Sequence, residues 1–443
     1  MKNRTFFIAG LVIFLLYPFF GCDAGINGGS DDGNNTAMQI VQVTPRELQK
    51  PEDVNPAARS VAAGANGFAF RLSAALAKQS GTAKNLVCSP LSVWIPLTAL
   101  VNAAGAQYKA DLLAALGVQG IEDADINNGV SRMLYDLTRQ KEREYKEMGW
   151  QKDYHEPLKI ANAVFVDYDV TIKDDFAQAF MDYYRGSSIN VDFESPAAVI
   201  EVNDWVNKNT GGMIQNIIEK FDPATPAVLA NAVYFFDRWE WEFDEKDTKP
   251  DTFYAPRGET EASYMLREGD GQTYFEDEKL QAMPLEFTTG GGLYILLPKD
   301  GDAAGLPASL TGDYFLAIQN GSKPAEGRLL LPRFSIEGDM MRLKDTLKAM
   351  GIPLFENSSL TGLIEKTDVQ LSEALHKAVI KVDEKGTTAA AVTVLLPDPA
   401  SAEPEPPGEP FEMICNKPFA FILYDRTTDG GMQVLFTGMV NQP

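Results

Sequence analysis

Apolar positions follow one rhythm in the first half of the chain and another in the second. Val61, Ala65, Phe68, Leu72 and Leu76 recur every three or four residues, which predicts a helix over 58–78. The same spacing predicts helices over 92–104, 110–116, 126–147, 176–184 and 197–209. Short β-branched and apolar runs predict strands at 159–167, 227–236, 293–297, 328–337, 419–424 and 433–440. Helices crowd the first half and strands the second, so the fold class is α+β and not an alternating α/β chain.

Residues 377–396 resist that local logic. They open as a strand pattern, and the eleven residues 386–396 carry no charge. Ala389, Ala390 and Ala391 precede the β-formers Val392, Thr393 and Val394. A proline-rich, acidic stretch, 397–410, follows and reads as exposed extended chain. Taken alone, this is a buried strand followed by a surface loop. An uncharged β-competent run beside such a loop is also an aggregation hazard unless it has a use.

Lys2 and Arg4 precede an apolar run, 6–20, too short to span a bilayer comfortably. The run ends in Phe19-Phe20-Gly21-Cys22, which resembles a bacterial lipobox, with Phe19 where leucine is usual. Residues 1–21 are therefore expected to be a lipoprotein-type signal peptide, with Cys22 lipidated. The alternative is an ordinary secretory signal. The Gly-, Asn- and Asp-rich start of 22–56 reads as a flexible tether, and 57–443 as one domain.

A net charge of −23 repels nucleic acid and anionic lipid and makes both poor partners. Only two histidines, His155 and His376, and three cysteines, Cys22, Cys88 and Cys415, occur, without a CxxC pair. A zinc ribbon, a redox motif and a histidine-rich metal site are excluded, and no cofactor or metal is expected. Cys88 and Cys415 read as buried free thiols; a disulfide between them remains the alternative.

Several fragments, in order, resemble the serpin family of protease inhibitors. The stretch from His376 through Glu384 and Gly386 to Ala391 resembles the hinge of inhibitory serpins. Asn416-Lys417-Pro418-Phe419 resembles the strand after their reactive loop, and Leu435-Phe436-Thr437-Gly438 resembles their last strand. Upstream, Asn85 to Ser92, Ala161-Asn162-Ala163-Val164-Phe165, Asn203-Asp204-Trp205-Val206, Asn231-Ala232-Val233-Tyr234-Phe235 with Trp239, and Leu331-Pro332-Arg333-Phe334 match in family order. The likeness covers 57–443.

The resemblance implies the serpin fold, three β-sheets with about nine helices and an exposed reactive-centre loop, here about 384–412. It implies a suicide substrate rather than an enzyme. A target serine protease forms a covalent acyl-enzyme with the loop, and the cleaved loop then inserts into the main sheet. The hinge would be Glu384, Gly386, Thr387, Thr388, Ala389, Ala390, Ala391, Val392 and Thr393. From Gly386 to Leu396 no charge or proline blocks insertion.

Serpins usually place the scissile carbonyl sixteen residues after the hinge glutamate, so the resemblance implies a bond at Ala400–Ser401, a small residue suited to elastase-like pockets. The span from Ser401 to Asn416 is longer than the family's usual one, so the bond lies at Ala402 or beyond if the surplus precedes the cut. Ser89, Ser92, Asn231 and His376 match the family's shutter, and Trp239 with Glu384 its breach. The partners implied are a target protease and, through Cys22, a membrane; the chain is expected to be an exported, envelope-anchored or secreted monomer. Competing readings are a non-inhibitory serpin-fold binding protein, an inhibitor of cysteine proteases, and a secreted hydrolase. The last has no GxSxG-type nucleophile motif to support it.

Overall fold

Val61, Ala65, Phe68, Leu72 and Leu76 form the buried face of a helix, Ala58–Ser80. It packs so closely on the turn after the next long helix, Ala106–Leu116, that a Cβ on Gly64 would lie 2.6 Å from the Gly117 carbonyl oxygen. The intervening helix, Pro90–Ala99, is buried at every residue and runs through the core, which explains why it is apolar all round. These features come from a computed structural model. It describes residues 38–443 apart from 51–52, 54, 82–83, 148–157, 213, 215–216, 222–226, 366–368, 388–409 and 428–430.

Among the described residues, two continuous hydrogen-bonded arrays stand on this core. The first runs Met38–Ile40, Gly186–Val191, Leu158–Asp167, Ala227–Phe235, Glu373–Asp383, Gly386–Thr387, Asp237–Arg238. Phe334–Glu337 and Met341–Arg342 pair onto Glu373–Asp383. The second runs Phe411–Ile414, Lys323–Pro332, Gly258–Glu276, Leu280–Glu286, Gly292–Pro298, Phe419–Arg426, Met432–Val440, Leu86–Cys88, with Lys249–Ala255 against Gly258–Glu276. The 19-residue strand Gly258–Glu276 belongs to both halves of this second array. The three expected sheets are thus present, two of them made continuous by this shared strand.

Strand alternation divides the core. From Leu158–Asp167, Val164 and Val166 belong to the core on the side of the helix Pro90–Ala99. Ala161, Ala163 and Phe165 face the helix Pro196–Asn209 on the opposite side. The first sheet is thus covered on both faces, and its strands read as continuous apolar runs rather than as alternation.

Three expectations need correction. The helix expected over 126–147 is broken into Asp123–Tyr135, a π-turn at Asp136–Gln140 and Lys141–Glu147. The apolar spacing of the sequence ends at Leu137, and 138–144 are polar or charged, so the pattern no longer specifies a buried face. The strand expected over 328–337 is two strands in different sheets, parted after Pro332 at Arg333, whose amide bonds Ser263. The tether expected to reach residue 56 stops short of that. Met38–Ile40 is an edge strand and Leu48 is buried, because two apolar side chains of the run 38–40 and Leu48 find partners on the domain.

Candidate functional site: the seam of the first sheet

Ala227–Phe235 and Glu373–Asp383 run parallel and in direct register from Val228 opposite Glu373 to Tyr234 opposite Val379. Above that point they part. The chain turns back at Glu384–Lys385, and Gly386–Thr387 enters the gap. Thr387 pairs with Val382 on one side and Asp237 on the other; Gly386 pairs with Asp383 and Arg238. Thr387 has no solvent exposure, and its Oγ1 accepts a hydrogen bond from the Asp237 amide at 3.0 Å. Gly386 has φ +148°, and a Cβ there would stand 2.1 Å from the Asp237 carbonyl oxygen, so only glycine fits. Of the expected hinge, Glu384, Gly386 and Thr387 are at this entrance. Thr388, Ala389, Ala390, Ala391, Val392 and Thr393 lie outside the described residues, as do Ala400, Ser401 and Cys22.

The turn is held on both sides. Glu384 is 3% exposed and takes both carboxylate oxygens to Arg333 Nε, each at 2.7 Å, with the Thr248 hydroxyl donating to Oε1 at 2.5 Å. Burial pushes its pKa up, but the Arg333 and Thr248 hydrogen bonds outweigh burial and hold it below the usual carboxylate range. Trp239 Nε1 donates to the Asp383 carbonyl at 2.8 Å and its amide to the Lys385 carbonyl at 3.0 Å. Its ring stacks on Phe287 with centroids 4.9 Å apart. Glu384 and Trp239, matched to the breach by sequence, are therefore brought to one place.

Lower down, a polar network bridges the closed part of the seam. His376 and Asn231 are directly opposite each other in register, and so are Asn231 and Asn162. Asn231 Oδ1 accepts from His376 Nδ1 at 2.7 Å and from the Ser92 hydroxyl at 2.6 Å, while its amide donates to Asn162 Oδ1 at 2.6 Å. His376 Nε2 accepts from the Ser89 amide at 3.1 Å, so Nδ1 carries the proton. The Ser89 hydroxyl donates to the Leu435 carbonyl at 2.7 Å. Ser89, Ser92, Asn231 and His376 thus form one buried network. Asn162 is a fifth member that sequence reading missed, and the signal was a lone asparagine in an apolar strand. Arg333 and Thr248 were missed as partners of Glu384.

Burial lowers the His376 pKa to about 3 and keeps the ring neutral. Unfolded, histidine titrates near 6.5, so both states are neutral above that pH and stability is full. As pH falls from about 6.5 towards 3, the unfolded state takes up a proton that the native state refuses, and stability is lost. A thermal midpoint that falls across this window in the wild type, with a shallower slope in His376→Gln, is expected. Equal slopes would contradict it.

Cys88 and Cys415 are both buried and unpaired, their thiol pKa values raised by burial. They fit inert core residues, not reactive ones.

At the top of the seam the strands are parted by one strand's width, filled by Gly386–Thr387; Thr387 belongs to the first sheet and Phe411 to the second. A family model described as Serpin (serine protease inhibitor) matches residues 63–443. The chain belongs to the serpin family. The human plasma serine protease inhibitor is 28% identical over 90% of this chain and 94% of its own. Serpin A3-6 of Bos taurus is 31% identical over 79% and 83%. The crystal structure of tengpin, a thermophilic serpin in its native state, superposes with a TM-score of 0.75 at 24% identity over 91% of this chain and all of that one. The architecture is the serpin fold. Serpins are protease inhibitors rather than catalysts, and protease inhibition is the activity that membership supports. Among the described residues of this serpin, no helix is long and apolar enough to cross a membrane.

Proposed function

We propose that this serpin is a single-use inhibitor of serine proteases with small, elastase-like specificity pockets. The protease's serine oxygen attacks the Ala400 carbonyl, the bond to Ser401 breaks, and Ser401 leaves as an amine carrying the proton relayed by the protease's histidine. The acyl ester that remains ties the enzyme to the new end of the loop. Insertion of 386–396 into the seam then carries the enzyme away before water reaches the ester.

The observation that carries this reading is the hairpin at Glu384–Lys385. Its second arm, Gly386–Thr387, is already paired on both sides within the gap, and the nine residues after it are uncharged and free of proline. Ser89, Ser92, Asn231, His376 and Asn162 would be the network that parts for insertion. Trp239 and Glu384 would hold its entrance. Export and lipidation at Cys22 complete the proposal and place the inhibitor on the cell envelope. Mass analysis of the mature N-terminal peptide should find acyl chains on Cys22; an unmodified Cys22 would remove the anchor.

The reaction itself is tested on a denaturing gel after mixing with elastase-like, chymotrypsin-like, trypsin-like and cysteine proteases. The expected result is a covalent band with the elastase-like enzyme, and a released peptide that begins at Ser401. A start at Glu403 would move the bond to Ala402. Cleavage without a covalent band with any of them would overturn inhibition and favour a non-inhibitory binding protein.

A further inference from the structure

The segment that precedes the serpin match is bound to the sheet whose opening inhibition requires. Met38, Gln39 and Ile40 pair antiparallel with Val191, Asn190 and Ile189, and the Val41 amide donates to the Ser188 carbonyl at 2.9 Å. They therefore add a strand outside Gly186–Val191. A few residues on, the same segment is bound to helices. The Arg46 amide and its Nε reach the two oxygens of Asp182, a carboxylate only 2% exposed, at 2.9 and 3.1 Å. The Gln49 amide donates to Ser131 Oγ at 3.0 Å and Arg132 donates to the Lys50 carbonyl at 3.2 Å. Gln178 donates to the Thr44 carbonyl at 2.8 Å, and Val41 and Val43 pack on the core, so little slack is left between the two ends.

The clasp spans a joint. Helix Asp174–Tyr184 passes into strand Gly186–Val191 through the single residue Arg185, which has left-handed φ of 52°. The Arg185 guanidinium donates to the Arg46 carbonyl at 2.6 Å and to the Met181 carbonyl at 3.4 Å. A new strand in the seam needs about 4.8 Å of extra width. The strands between the seam and this edge must move by that amount relative to helices that pack on Ala58–Ser80 and Pro90–Ala99. Arg185 is where that shear would be taken up.

We propose that residues 38–50 are a clasp that ties the edge strand to helices Asp123–Tyr135 and Asp174–Tyr184 across the Arg185 joint and slows opening of the seam. The proposal rests on the insertion reading above. Contacts present while the seam is closed and broken as it opens raise the barrier to opening without touching the loop or its cleavage site.

The test uses the full chain with Gln39→Pro and Gln39→Val. Gln39 is an exposed edge position, two residues from Val41 in the same hydrogen-bonding phase, so proline removes one ladder donor while valine keeps it. Each protein is held uncleaved below its thermal midpoint, and its conversion to a heat-resistant form with a protease-resistant loop is timed. Gln39→Pro is expected to convert about fivefold faster than wild type, the rate equivalent of one lost hydrogen bond of about 1 kcal/mol. Gln39→Val should match wild type or convert more slowly. Leu48→Ser, which loosens the other end, should convert faster too. Equal conversion rates, or accelerated unfolding with no heat-resistant product in both loosened variants, would overturn the clasp. Wild type nicked in the loop is melted alongside: a failure to gain stability there would overturn insertion itself, whatever the variants do.

Discussion

Gly386→Val is expected to turn this serpin from an inhibitor into a substrate of its target protease. The glycine is where the chain re-enters the sheet after its turn, and both neighbours are backbone. A Cβ at that point would lie 2.1 Å from the Asp237 carbonyl oxygen and 2.7 Å from the Arg238 Cα. Its φ of +148° is in addition a conformation that valine avoids. The hairpin arm must then leave the gap, and insertion has to begin without its first paired residues. After acylation, two rates compete: insertion, which traps the enzyme, and hydrolysis of the ester, which releases it. Each loss of about 1.4 kcal/mol in the insertion step shifts that competition tenfold, and a backbone clash of this kind costs at least that much. The number of inhibitor molecules consumed per enzyme trapped should rise at least about tenfold, while the rate of loop cleavage stays as in wild type. An unchanged stoichiometry would mean that seating of Gly386–Thr387 plays no part in trapping.

Asn231→Ala should have the second large effect, through the closed part of the seam. Asn231 touches Asn162 on one neighbouring strand and His376 on the other. Its removal leaves the His376 Nδ1 proton and Asn162 Oδ1 buried without their present partner. Each such group costs about 1–3 kcal/mol, so the native fold should lose about 2–6 kcal/mol. The bond to His376 exists only while Ala227–Phe235 and Glu373–Asp383 are adjacent, so its loss weakens the closed form more than one parted by a new strand. The apparent thermal midpoint should fall by about 2–7 °C, and uncleaved protein should drift faster into the heat-resistant form. Adding Asn162→Ala to Asn231→Ala should cost less than Asn162→Ala alone, because both act on one network. Full additivity, or an unchanged midpoint, would show that the network does not hold the seam shut.

Much of this arrangement was legible from local pattern. The stripe from Val61 to Leu76 gave a helix because its core contacts repeat at the helical period, and Pro90–Ala99 announced its burial by lacking a polar face. Strands buried on both sides, such as Ala227–Phe235, stood out as runs. The region 249–286 did not. Its strands Lys249–Ala255 and the first part of Gly258–Glu276 expose one face, and residues such as Glu259, Glu261 and Glu268 break every apolar run. The long strand is held by neighbours on both sides rather than by its own composition.

At the seam, the identities of Glu384, Gly386 and His376 could be read by resemblance, but their partners could not. Arg333 and Thr248 stand 51 and 136 residues from Glu384 in the chain. Nothing near either one marks it as the counterpart of a buried carboxylate. The docking of 38–50 was hidden for a similar reason. A three-residue edge strand has too few alternations to register as one, and its stability comes from Gly186–Val191 and Asp182, not from itself.

The most direct test is to nick the loop once within 388–409, keep both fragments together, and compare thermal unfolding and backbone hydrogen exchange with the intact protein. If the native chain is kinetically trapped, insertion of the nicked strand between Ala227–Phe235 and Glu373–Asp383 should raise the apparent midpoint by at least about 10 °C. Amides in 388–396 should become protected at the same time. An unchanged midpoint with those amides still exchanging freely would contradict insertion.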